Sequence, residues 1–204
     1  MLVEQRNIGI LKGSKMKIIF LDIDGVLNGY NKWTDIIYHI RRLLHIENLI
    51  DKIYDPCGIH ESKVKLLAKI VKKTGSKVVL SSSWRGAYWN IPYECQRGNL
   101  KKLSTLFRKY NIEVIGITPK SAFSHSREEE IIDWFYNKQY NISSISAYIV
   151  IDDEPTDLQF FIDNGTLIQT STISRYDMIK GDWKENTGLR RKHVKQAIKI
   201  LNNV

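Results

Sequence analysis

The sequence predicts an α/β fold, with a parallel five-stranded sheet and helices on both faces. Three observations lead there. Five short apolar runs alternate with segments whose apolar residues recur at helical spacing, as in strand–helix–strand units with right-handed crossovers. Polar residues that could do chemistry (Asp22, Ser81, Asp152) stand where apolar runs end, and open α/β sheets bind ligands at that edge. The length of 204 residues, 43% of them hydrophobic, suits one such domain with a modest insertion.

The elements follow in order. Residues 1–15 lack periodicity and read as a flexible extension before Met16; residues 16–204 read as one domain. Strand one is expected from Lys17 to Asp22. Residues 29–60 have no counterpart in a minimal strand–helix unit and read as a small cap or flap with one helix, about Thr34 to Leu49. Val64, Leu67, Ala68 and Val71 mark a helix that Gly75 ends. Strand two runs from Lys77 to Ser81, and a polar, aromatic loop from Trp84 to Cys95 follows. Leu100, Leu103, Leu106, Phe107 and Tyr110 mark the next helix. Strand three is Ile112 to Ile117, stopped by Pro119. Ser126 and Glu129 have the spacing of a capping box for a helix bearing Ile131, Ile132 and Phe135. Strand four is Ala147 to Ile151, and Pro155 is expected to open the helix after it. Strand five is Thr166 to Gln169. The last helix uses Val194, Ala197, Ile198 and Leu201.

Composition narrows the function. No apolar stretch approaches the ~18 residues of a membrane span, and the N-terminal residues lack the apolar region of a secretory signal. Cys57 and Cys95 cannot build a disulfide framework, so reduced thiols and a cytoplasmic protein are expected. The 31 basic residues against 22 acidic give a net charge of +9, which favours anionic partners: phosphorylated metabolites, nucleotides or nucleic acid.

The chemistry concentrates in four clusters. In FLDIDGVLN (Phe20 to Asn28), a buried strand ends on Asp22, and Asp24 follows before a turn at Gly25. Two carboxylates this close call for a cation, most naturally Mg²⁺ with oxygen ligands. In VVLSSSWR (Val78 to Arg85), the Ser81 hydroxyl and nearby N–H groups can face an anion. Arg127 opens a helix, whose N-terminus already favours anions. In YIVIDDEPTD, Asp152 and Asp153 end a strand and Asp157 follows. Taken singly, each cluster has a plain structural explanation: a polar strand end, loop polarity, a solvated helix residue, a helix cap. An ATPase reading of Asp152-Asp153 needs G-x-x-x-x-G-K-[ST], which the chain lacks. The order of the four clusters lifts them above those separate explanations.

In that order they resemble the haloacid dehalogenase (HAD)-like hydrolase superfamily, phosphatase type, over about Lys17 to the C-terminus. LDIDGVLN, LSSSWR and the stretch from Arg127 to Trp134 are similar to a subgroup associated with nucleic-acid repair. The resemblance implies a Rossmannoid three-layer sandwich. It also implies that Asp22 is the nucleophile of an aspartyl-phosphate mechanism and that Asp24 protonates the leaving oxygen, then deprotonates water. Ser81 would hold a phosphoryl oxygen. Mg²⁺ would lie between Asp22, the Asp24 carbonyl and Asp153, with Asp152 and Asp157 nearby. The third-motif cation is Arg127 by helix position, and Lys120 competes for the role. The second aspartate of Asp22-x-Asp24 marks phosphoryl rather than carbon–halogen chemistry.

A small cap leaves the site open to large substrates. Tyr30, Trp33, Arg41, Arg42, Trp84, Arg85 and Trp89 could stack bases and pair with phosphates. Ser82, Trp84, Arg85 and Lys120 are the expected substrate contacts, and Arg190, Arg191, Lys192, Lys195 and Lys199 an exposed helix face. The preferred substrate is a nucleotide or nucleic-acid terminal phosphate. Small phosphorylated metabolites are one alternative, and a non-catalytic nucleic-acid-binding protein on the same fold is another. Nothing in the sequence sets the oligomeric state.

Overall fold

The computed structural model describes residues 15–28, 58–120, 126–136, 142–170 and 188–203. The expected extension, save Lys15, and most of the expected cap lie outside the described residues, as does Cys57. Five strands, β1 (Met16–Leu21), β2 (Lys77–Leu80), β3 (Val114–Ile117), β4 (Ile145–Asp152) and β5 (Leu167–Gln169), form one parallel sheet in the order β3-β2-β1-β4-β5. The helices are α1 (Glu61–Thr74), α2 (Arg85–Asn90), α3 (Gly98–Lys109), α4 (Arg127–Tyr136), α5 (Gln159–Asp163) and α6 (Arg191–Asn202). None of them is long and apolar enough to cross a membrane.

Side chains alternate across a strand, so β1 splits into two faces. Ile19 and Leu21 join a core with Val64, Leu67 and Ile70 of α1, Leu103 and Phe107 of α3, and Val194, Ala197 and Leu201 of α6. Ile18 and Phe20 face the other way, onto Ile131 and Trp134 of α4 and Phe161 of α5. Phe20 meets Trp134 edge-on at 5.2 Å. A sheet buried on both sides explains why its inner strands read as unbroken apolar runs. This is the three-layer sandwich the sequence predicts.

Strands β1, β2 and β5 differ from expectation by one residue at one or both ends, and four larger differences have identifiable causes. Strand β3 starts at Val114, because the Ile112 N–H is drawn back to the Phe107 carbonyl at the end of α3 (2.9 Å). Strand β4 extends to Ile145–Asp152, paired with β1 along its length across one irregularity at Met16/Lys17. The loop after Trp84 contains the short α2, started by the Arg85 N–H on the Ser82 carbonyl (3.0 Å), and a 3₁₀ turn at Tyr93–Cys95. Pro155 does not open α5. It accepts the Leu158 N–H (3.1 Å) in a turn that buries Leu158 fully, and the helix begins at Gln159.

The sheet's hydrogen-bond ladder runs one residue past its strands. Asp22 N–H donates to the Ile151 carbonyl (3.0 Å), Ser81 to Leu21 (3.0 Å), Thr118 to Leu80 (2.9 Å) and Thr170 to Asp152 (2.9 Å). Four loop residues are thereby fixed in a row along the C-terminal edge.

Candidate active site

Asp22 leaves β1 pointing into a buried corner and is 4% exposed. One oxygen each of Asp22, Asp152 and Asp153 lie within 4.8 Å of one another. Burial pushes the Asp22 carboxyl up from its ordinary value; Arg127 opposes this and Asp24 adds to it. Asp152 is pushed up more strongly, by burial first and then by the Asp22 charge. Its Oδ1 accepts the Glu154 N–H (2.9 Å), while Oδ2 is buried with no hydrogen-bond partner among the described residues. Buried carboxylates that repel each other favour a compensating cation. An all-oxygen anionic set with a buried oxygen that accepts no hydrogen bond fits a hard divalent metal ion.

Gly25 explains how Asp153 comes so close. Its φ is +68°, and a Cβ built there would lie 2.1 Å from Cγ of Asp153. Only a residue without a side chain satisfies both the backbone turn and the carboxylate. Thr170, buried after β5, donates its hydroxyl to the Gly25 carbonyl (2.9 Å) and clamps the turn onto the β4 edge.

The Asp24 carboxylate is exposed and lies outside that cluster. Asn28 Nδ2 donates to its Oδ1 (2.9 Å), and Trp84 Nε1 donates to its Oδ2 (3.0 Å). Asn28 also accepts the Gly25 N–H through Oδ1 (2.7 Å), so the last residue of FLDIDGVLN braces the loop from within.

Arg127 reaches across from α4. Its guanidinium donates to Asp22 Oδ1 (2.8 Å) and the Ser81 carbonyl (2.6 Å), and lies 3.4 Å from Asp152 Oδ2. Burial disfavours its charge, yet Asp22 and Asp152 outweigh burial and raise its pKa above the ordinary value. Lys120 is exposed on the loop after β3, so of the two cations it is Arg127 that pairs with Asp22. Arg127 is held in turn by Asp157, whose Oδ2 accepts the Arg127 N–H (2.7 Å) and whose carbonyl accepts the Glu128 N–H (3.2 Å). The last aspartate of the fourth cluster thus caps the helix that delivers the third.

Ser81 is fully buried, and its hydroxyl has no hydrogen-bond partner among the described residues. Of the expected substrate contacts, Ser82 and Arg85 are buried, Trp84 is half-buried and Lys120 is exposed. Ser82 is buried, and its hydroxyl accepts the Trp84 N–H (3.3 Å). Trp84 serves Asp24. Arg85 is 7% exposed and pairs with Glu130 of α4 (2.5 Å), donating also to the Ser82 carbonyl (3.2 Å). These three side chains meet partners within the protein for one reason. The turn after β2 is short, so its side chains must satisfy the turn's own carbonyls and neighbouring charges before anything outside can be met.

Sequence reasoning missed Thr170, Glu130 and the bracing role of Asn28. Asn28 stood inside the quoted motif. Thr170 and Glu130 gave no signal, because their partners lie 145 and 45 residues away. The expected Arg191, Lys192, Lys195 and Lys199 are exposed on α6, whereas Arg190, expected with them, is half-buried at that helix's N-cap.

Residues 18–174 match the family described as the HAD domain in Swiss Army Knife RNA repair proteins. The chain belongs to this family. The match runs from within β1 through β5, so all four clusters fall inside it. HAD domains are in general hydrolases and phosphatases, and this one sits in a family named for RNA repair. No curated protein matches the chain.

Proposed function

We propose that this HAD domain is a Mg²⁺-dependent phosphomonoesterase working through an aspartyl-phosphate. Its preferred substrate is a nucleotide or the terminal phosphate of a nucleic acid. One observation carries the reading: at one sheet edge, a buried carboxylate bonded to a cation, a second carboxylate two residues on, and an unpartnered buried hydroxyl converge.

Asp22 attacks phosphorus in line; an Asp22 O–P bond forms and the P–O bond to the leaving group breaks. Arg127, bonded to Asp22 Oδ1, orients the nucleophile and balances charge spreading onto the phosphoryl oxygens. Ser81 donates its hydroxyl to one of those oxygens. Asp24, steadied by Asn28 and Trp84, gives a proton to the leaving oxygen and later takes one from the attacking water. Asp22, Asp152, Asp153 and the Asp24 carbonyl would hold Mg²⁺, which supplies electrophilic stabilisation of the transferring group. The family's RNA-repair description and the +9 charge support a nucleic-acid substrate.

The test is phosphate release with Mg²⁺ from sugar phosphates, mononucleotides and oligonucleotides phosphorylated at either end, with wild type and Asp22→Asn. Turnover abolished by the substitution, with an oligonucleotide or nucleotide preferred, is expected. Turnover equal in the two proteins refutes the mechanism, and a preferred sugar phosphate refutes the substrate class.

A further inference from the structure

A groove of about 400 Å³ opens beside the site, past the C-terminal ends of β2 and β3. Arg85, Trp89 and Asn90 of α2 form one wall, Thr118 and Lys120 another, and Trp134 of α4 a third. The groove and the site share parts. Arg85 donates to the Ser81 carbonyl (3.4 Å), and α4 bears both Trp134 and Arg127. A substrate whose phosphate lies against Ser81 and Arg127 therefore has the groove next along its length.

Three features fit a nucleoside. Trp89 is 49% exposed, an indole face offered to solvent instead of packed in the core. Bases of any sequence stack on such a face. Thr118 is 1% exposed, yet its hydroxyl has no hydrogen-bond partner among the described residues. The hydroxyl is itself closed off, so a ligand's polar group would reach it only as the side chain turns toward the groove, which would relieve the cost of leaving it unpaired. Lys120 stands exposed at the groove, one cation of a chain with a surplus of nine. A small phosphorylated metabolite has no base to stack on Trp89.

We infer that this groove seats the nucleoside adjoining the terminal phosphate of a single-stranded nucleic acid, with its base stacked on Trp89 and the following phosphodiester paired with Lys120. The inference rests on the phosphatase reading for where the terminal phosphate lies. It gives Lys120 a place on the substrate, while Arg127 pairs with Asp22.

The test separates binding from catalysis. A fluorescently labelled single-stranded oligonucleotide without terminal phosphate is titrated with the full chain, and anisotropy gives Kd. Stacking is worth ~1–3 kcal/mol per base, so Trp89→Ala should weaken binding about 5- to 150-fold, with Trp89→Phe recovering most of it. Lys120→Ala should weaken binding and lower the slope of log K against log salt by about one. The ratio of kcat/KM for a phosphorylated oligonucleotide to that for p-nitrophenyl phosphate should fall in Trp89→Ala as Kd rises. Wild type failing to bind the oligonucleotide, or Trp89→Ala binding within about twofold of wild type, overturns the inference. Neither result touches the phosphatase reading, which stands or falls on phosphate release by Asp22→Asn. Trp89 is half exposed, so its replacement leaves the fold intact, and circular dichroism checks this.

Discussion

Asp157 is expected to act as a cap, not as a metal ligand, and the two roles respond differently to substitution. In the structure its carboxylate accepts the first amide of α4 at 2.7 Å, and that amide belongs to Arg127 itself. Asp157→Ala removes the acceptor but leaves the Asp157 carbonyl on Glu128 in place. Losing an N-cap side chain costs about 0.5–2 kcal/mol. For a chain of this size that lowers Tm by roughly 1–8 °C. The larger effect falls on turnover. An unanchored first turn lets the guanidinium drift from Asp22, and a misplacement near 1 Å costs about 100-fold in rate. Asn caps a helix about as well as Asp. Asp157→Asn should therefore recover most of both losses. The assay pairs thermal unfolding with phosphate release as a function of Mg²⁺ concentration. Asp157→Asn behaving like Asp157→Ala, with a raised Mg²⁺ requirement, would refute the capping argument and place the charge on the metal instead.

Three further predictions follow from the same geometry. Asp153→Asn removes one of the three clustered carboxylates, so the Mg²⁺-dependent rise in Tm expected of wild type should vanish; an undiminished rise would exclude Asp153 as a ligand. Arg85→Ala strands Glu130, whose side chain is 11% exposed, and should destabilise by about 3–5 kcal/mol in urea unfolding, whereas Arg85→Met with Glu130→Leu should lose much less. His193, buried in α6 with Nδ1 accepting the Arg190 N–H at 3.1 Å, has its pKa lowered to about 4, by burial first and then by Lys192, Arg190 and Lys63. The unfolded chain then binds a proton that the folded one refuses, so this group's contribution falls as pH drops from about 6.5 to about 4 and is constant below. The difference in unfolding free energy between wild type and His193→Gln, measured across that window, should shrink as pH falls.

The layered architecture was legible because burial on both faces leaves its mark on local sequence. Ile18 to Leu21 are apolar without a break, and Val64, Leu67 and Val71 repeat at helical spacing, whatever they pack against. Element ends were less legible. The start of α5 depends on Leu158 reaching the core and on Asp157 being drawn to another helix, and neither demand is visible near Pro155.

At the site, local pattern alone placed the atoms that stand at the sheet edge. A strand's last residue must emerge there, so Asp22, Ser81 and Asp152 were placed by position alone. Gly25 was predictable as a turn. Which partners those atoms meet follows from how the layers pack: Arg127 on Asp22, Trp84 and Asn28 on Asp24, Asp153 against Gly25, Arg85 on Glu130. The physical reason is range. Propensity and periodicity act over a few residues. A buried charge instead takes whichever opposite charge the packed layers bring within about 3 Å, and that partner lies anywhere in the chain.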